Sequence, residues 1–196
     1  RTIGRGLTRH IYLFGTAGEG YAVTDRQFDE IAACFAAVAR EENVRPMLGL
    51  ISLSLPTIIE RIERGRAFGI CEFQLSLPSW GALNDAELAT FFAETCGRFP
   101  DCTFHHYNRA RTKRLRTAAD YRPLVERHPN FVGVKSSADD PAVVADLLTM
   151  APRLRFYFTE FGYAIARRTH DVGLLASLST AHYGHARQFV AGDDTR

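Results

Sequence analysis

The chain has 196 residues, 46% of them hydrophobic and 23% charged, with a formal net charge of +2; this is the composition of one globular domain and excludes a disordered or fibrous chain. So small a charge, carried by arginines that are scattered rather than striped along one face, excludes a nucleic-acid-binding surface. No apolar run approaches the roughly 18 residues that span a bilayer and no signal-peptide pattern is present, so a cytoplasmic protein without membrane contact is expected.

In chain order, short apolar runs alternate with longer amphipathic ones. The runs predict strands at His10 to Phe14, Met47 to Ile51, Ile70 to Leu75, Thr103 to Tyr107, Phe131 to Val134, Arg155 to Phe158 and Gly173 to Ser177. Between and after them, helical patterns fall at about Asp25 to Glu42, Leu55 to Phe68, Asp85 to Arg98, Thr117 to Arg127, Pro141 to Met150, Tyr163 to His170 and Thr180 to Ala191. Thr24 with Gln27 makes a capping box, Asn84 with Glu87 resembles one, and Asp140 precedes a proline at a helix's first position. Seven strand–helix units with short connections predict a parallel sheet covered by helices, and their number favours a (β/α)8 TIM barrel over an open doubly wound sheet. An intact barrel needs roughly 250 residues. Residues 1–196 are therefore expected to form a single but incomplete barrel domain, a fragment lacking its first strand and the C-terminal helices.

The active site of such a barrel lies at the C-terminal ends of its strands. That rule selects Gly15-Thr16-Ala17-Gly18-Glu19-Gly20 after the first strand, Tyr107-Asn108 at the end of the fourth, Lys135 at the end of the fifth, and Ser177 and Ser179 near the end of the seventh. Only Lys113 and Lys135 are lysines, against 24 basic residues in all, so an amine at a strand tip is unusual in this chain. Desolvation there lowers an amine's pKa, and a neutral amine attacks carbonyls to form Schiff bases, which a guanidinium cannot do. Tyr107, on the adjacent strand tip, places a phenol where it can move protons. The alternative for Lys135 is a side chain snorkelling into solvent. The glycines of GTAGEG match neither the dinucleotide nor the phosphate-loop spacing; the loop reads either as a tight turn or as backbone N–H groups and one hydroxyl, Thr16, receiving a small anion such as a carboxylate.

Together, YLFGTAGEGYAVTDRQF, HHYNRARTKR and FVGVKSS, in this order and spacing, resemble the dihydrodipicolinate synthase and N-acetylneuraminate lyase family of class I pyruvate aldolases, along about residues 8 to 188. The resemblance implies that Lys135 forms an imine with pyruvate or another 2-oxo acid and that Tyr107 is the proton shuttle. Thr16 and the Ala17 backbone would hold the substrate carboxylate, with Gly15 and Gly18 allowing close approach; Arg111 and Leu175 would also contact substrate. It implies a lyase that needs no cofactor beyond that imine, and a homo-oligomer, dimeric or tetrameric. The alternative is a catalytically inactive barrel that binds a 2-oxo acid.

Three departures from the family pattern stand out. Ala17 replaces the second hydroxyl of GTTGE; Arg109-Ala110-Arg111-Thr112 is one residue shorter than the segment of YNxPxRT and lacks its proline; and Ser79-Trp80 stands where dihydrodipicolinate synthases carry a tyrosine pair. These changes point to a divergent aldolase, lyase or dehydratase rather than to dihydrodipicolinate synthase itself. Trp80 reads as a substrate wall, an interface anchor or a packed loop aromatic. His182 and His185 could hold a metal only with a third ligand, which is not evident, so no metal is expected. His105 and His106 alternate across a strand, so at most one faces the interior. Arg111, Lys113, Arg114 and Arg116 read as a solvated basic loop. Cys34, Cys71, Cys96 and Cys102 form no CxxC pair and are expected to be free thiols.

Overall fold

A computed structural model of the chain describes residue 3 and residues 6–175 and 178–192. Its seven strands are β1 His10–Leu13, β2 Arg45–Ile51, β3 Glu72–Ser76, β4 Thr103–Asn108, β5 Phe131–Ser136, β6 Arg155–Phe158 and β7 Gly173–Leu174. All pair in parallel and in sequence order, as one sheet running from β1 to β7. The helices are α1 Asp25–Glu41, α2 Leu55–Ala67, α3 Asp85–Phe92, α4 Ala118–Arg127, α5 Pro141–Leu148, α6 Glu160–Ala166, α7 Leu178–Ala181 and α8 Tyr183–Ala191.

The sheet curls strongly. The ring of His10 on β1 lies 6.4 Å from that of Tyr157 on β6, whereas five strand spacings across a flat sheet would separate them by about 24 Å. Among the described residues β1 and β7 are its two unpaired edges, so the architecture is an incomplete (β/α)8 barrel. Alternation along the strands divides the side chains. Phe73, Leu75, Phe104, Val134, Phe156 and Phe158 turn outward into one hydrophobic core with Phe28, Ile58, Ile62, Phe92 and Leu147 of the helices. Their neighbours Glu72, Gln74, His105, Tyr107, Lys135 and Tyr157 line the concave face, which is polar.

The expected caps form. Thr24 accepts from the Gln27 N–H at 3.3 Å while Gln27 Oε1 accepts from the Thr24 N–H at 2.9 Å; Asn84 and Glu87 exchange the same pair of bonds at 2.9 and 2.8 Å. Asp140 caps α5 by accepting from the Ala142 N–H. Three elements differ from the sequence expectation. The helix expected as far as Arg98 stops being α-helical at Phe92 and continues as a π turn, Ala93–Gly97, in which Thr95 donates its hydroxyl back to the Phe91 carbonyl at 2.8 Å. Because Thr159 is the N-cap directly after β6, α6 starts at Glu160, three residues before the expected Tyr163. The last helical stretch is broken at His182, whose Nδ1 accepts from the His185 N–H and caps α8. β7 is described only to Leu174, and Ser177, expected at its end, lies outside the described residues.

Candidate active site

The parallel register places Lys135 between two tyrosines, Tyr107 on β4 and Tyr157 on β6. Two interior glycines make room for the rings of this layer. A Cβ on Gly133 would stand 2.4 Å from His105 Nδ1, and one on Gly173 would stand 2.3 Å from the Tyr157 ring. The Lys135 ammonium nitrogen lies over the face of Tyr107, 4.3 Å from the ring centroid. Burial lowers the Lys135 pKa from 10.5 to about 8; Glu160, at the start of α6, pulls the other way, and Arg109 pushes it down further. At pH 7 about one molecule in ten then carries the neutral amine, against well under one in a thousand for an unshifted lysine. Burial raises the Tyr107 pKa, against the pull of Arg109 and Arg111, so its phenol is protonated and ready to donate.

The GTAGEG loop leaves β1 through Phe14, which takes a left-handed φ of 65°. Gly20 is sterically required here, because a Cβ would stand 2.2 Å from the Phe14 carbonyl oxygen. Gly15 is nearly as confined, its Cβ position being 2.8 Å from the Tyr12 ring, while a Cβ on Gly18 would meet nothing closer than 3.8 Å. Of the glycines expected to allow close approach, Gly15 is confined and Gly18 is not. Ala17 and Gly18 are exposed at the loop tip, and Thr16 is half-buried.

One residue that sequence reasoning passed over belongs to this constellation. Arg109 is 7% exposed. Its Nη1 donates to Thr16 Oγ1 at 3.0 Å, and its guanidinium carbon sits 5.2 Å from the Tyr107 ring centroid. The signal was present as strand alternation, since Tyr107 and Arg109 are two residues apart and share a face. Arg111, the arginine expected to touch substrate, is exposed in the 3₁₀ turn Ala110–Thr112, and the turn ends on Lys113 in a left-handed conformation. Leu175, at the tip of β7, donates its N–H to the Phe158 carbonyl at 3.0 Å and continues the face of Gly173. Trp80 is 89% exposed in the loop after β3.

Around this layer and the one beneath it, the Tyr12 hydroxyl, both amide atoms of Gln74 and the Ser76 hydroxyl are buried without hydrogen-bond partners among the described residues. At the opposite end of the interior the Glu72 carboxylate is met on both oxygens, although His105 Nδ1 is buried without a hydrogen-bond partner among the described residues. Glu72 Oε1 is 2.8 Å from His105 Nε2 and 3.1 Å from His10 Nε2, and Oε2 accepts from Arg45 Nε at 2.5 Å. Burial alone would raise the Glu72 pKa, but the two histidines hold its carboxyl well below the usual carboxylate range. His106 faces outward, as alternation requires, and its Nδ1 is 2.7 Å from the Tyr121 hydroxyl; burial and nearby Arg116 and Arg109 lower its pKa to about 3, so it is neutral. His182 and His185 stack at 3.7 Å, and no cluster of three metal-ligating side chains occurs among the described residues.

No protein-family model and no curated protein sequence matches the chain. Solved structures match it closely in shape. The 4-hydroxy-tetrahydrodipicolinate synthase of Methylacidiphilum fumariolicum SolV superposes with a TM-score of 0.85 at 17% identity, over 96% of this chain and 64% of the other. YagE of E. coli K12, a prophage protein of the dihydrodipicolinic acid synthase family solved in complex with pyruvate, gives 0.80 at 16% identity, over 96% and 66%. Dihydrodipicolinate synthase from Acinetobacter baumannii, also complexed with pyruvate, gives 0.77 at 17%, over 95% and 66%. The chain spans just under two thirds of the length of these structures. Over the seven strand–helix units that it spans, the chain has the barrel fold of the dihydrodipicolinate synthases.

Proposed function

We propose that the protein is a Schiff-base-forming lyase of the pyruvate aldolase type, acting on pyruvate or another 2-oxo acid. The observation that carries this reading is Lys135, an amine held at a barrel strand tip with its pKa lowered to about 8, directly over the ring of Tyr107. The likeness to barrels solved with pyruvate supports it. Neutral Lys135 adds to the keto carbon; the carbinolamine loses water as protons pass to the departing oxygen, and Tyr107 is the proton donor within reach of that step. The protonated imine then withdraws electrons from the adjacent carbon, which permits carbon–carbon cleavage, condensation or dehydration. Thr16 and the N–H groups of the exposed Ala17–Gly18 tip receive the carboxylate. The buried Tyr12, Gln74 and Ser76 groups favour a polar ligand over an apolar one, because each loses a hydrogen bond if nothing polar meets it.

A homo-oligomer in the cytoplasm goes with this reading. Exposed Tyr21, Leu53 and Trp80 on the loops after β1, β2 and β3 supply apolar surface for assembly at the mouth. The test is reductive trapping. Incubation with pyruvate and borohydride is expected to add a carboxyethyl group to Lys135, read by peptide mass spectrometry, and a folded protein without that adduct would contradict the proposal.

A further inference from the structure

Arg109 is a buried cation with no carboxylate partner among the described residues. Its surroundings are the Thr16 hydroxyl, the face of Tyr107, the phenol of Tyr12, and two further cations, Arg111 and Lys135. Its Nε is buried without any hydrogen-bond partner. Burying a charge without a counter-ion is costly, and folded proteins pair such groups or supply the partner from a ligand. Of the other buried arginines of this half of the barrel, Arg61 has Asp25 at 3.7 Å, and Arg116, whose Nη2 donates to the Leu83 carbonyl, lies within the field of the Asp120 and Asp85 carboxylates. Arg109 has only neutral and positive neighbours, all at the mouth around Lys135.

We propose that Arg109 binds the substrate carboxylate together with the GTAGEG loop, supplying the positive charge that the loop lacks, and that it selects 2-oxo acids over neutral carbonyl compounds. The inference rests on the imine reading of Lys135 for its reaction, but not for its binding step. The geometry fits the assignment in two ways. Because Thr16 Oγ1 accepts from Arg109 Nη1, the Thr16 hydroxyl hydrogen is free to be donated, so guanidinium and hydroxyl present donors side by side to one anion. The guanidinium stacks on the same phenol ring that lies beneath the Lys135 amine, so an anion on Arg109 holds its neighbouring carbon close to that amine. Thr16 is the one hydroxyl of the GTAGEG loop, and Arg109 fixes its orientation. Arg111, exposed on the 3₁₀ turn, lacks these contacts and is the internal control.

The experiment compares full-length wild type, Arg109→Gln and Arg111→Ala in two assays. In the first, borohydride trapping on Lys135 is titrated with pyruvate and, separately, with hydroxyacetone, a neutral ketone. Arg109→Gln is expected to raise the half-saturating pyruvate concentration about tenfold or more, the loss typical of a charge-assisted hydrogen bond. Its trapping with hydroxyacetone should match wild type, which also reports that the variant folds and keeps its reactive amine. Arg111→Ala, which removes a nearby exposed charge but no contact to Thr16 or the Tyr107 ring, should raise the pyruvate half-saturation far less than Arg109→Gln does. In the second, pyruvate binding is measured by calorimetry in Lys135→Met, where no imine can form, and in Lys135→Met/Arg109→Gln. Binding present in the first and lost in the second supports the assignment even if wild type traps no carbonyl, an outcome that would sink the imine reading alone. Equal pyruvate half-saturation in wild type and Arg109→Gln, or equal binding in the two Lys135→Met proteins, would overturn the role of Arg109.

Discussion

The two ends of the barrel interior handle buried charge in opposite ways. At the base, Glu72 is surrounded by His10, His105 and Arg45, and its carboxylate oxygens are satisfied. At the mouth, buried Arg109 and half-buried Lys135 have aromatic rings and a hydroxyl as immediate neighbours, with the charge of Glu160 at the start of α6 acting on Lys135 but not on Arg109. A buried charge met by opposite charges stabilises and orders the interior, whereas one without a counter-ion leaves charge that a ligand can compensate. The contrast marks the base as structural and the mouth as chemical, although both are polar and both are buried.

Substitutions at the two ends should separate in what they damage. Lys135→Met is expected to abolish both pyruvate trapping and turnover, read by mass spectrometry and a pyruvate-release assay, because no other amine lines the site. Tyr107→Phe should lower turnover about 10²- to 10⁴-fold while trapping at saturating pyruvate still occurs, since it removes a proton carrier and not the nucleophile. Glu72→Gln should do the reverse. It is expected to cost about 2–3 kcal/mol in urea denaturation by breaking the buried pairing, with the trapping rate of the folded protein unchanged; a loss of trapping with unchanged stability would erase the distinction between base and mouth. The smallest effect concerns stability at the mouth. The Lys135 pKa is lower folded, about 8, than in an unfolded chain, 10.5, so the unfolded chain binds more protons across that window and stability rises with pH between those values. Lys135→Met should remove that rise and stabilise the protein at pH 7 by about 1–3 kcal/mol.

Periodicity and breakers were enough to read the seven strand–helix units, because alternation, caps and glycine turns are local signals, and Thr24, Asn84 and Asp140 cap the helices they were expected to cap. Lys135 and Tyr107 were legible as neighbours because adjacent parallel strands in short units bring their tips together, as the register shows. Arg109 was not, because motif similarity drew attention to Arg111, and only the pleat of β4, which carries Arg109 to the face of Tyr107, separates a buried arginine from an exposed one two residues on. The Glu72 network was invisible for another reason. His10, Arg45, Glu72 and His105 come from four different strands, and their meeting depends on the curl of the sheet, which no local pattern encodes. The π turn after α3 follows from packing as well, since nothing in the spacing of Ala93–Gly97 distinguishes it from ordinary helix.

The central claim is that burial at the mouth makes Lys135 a nucleophile near neutral pH, and the pH dependence of its reaction tests this most directly. The rate of reductive trapping with pyruvate and cyanoborohydride, followed as the Lys135 adduct, is predicted to rise with pH and level off with a midpoint near 8. A rate that continues to climb through pH 10, as for a solvated lysine amine, would contradict it.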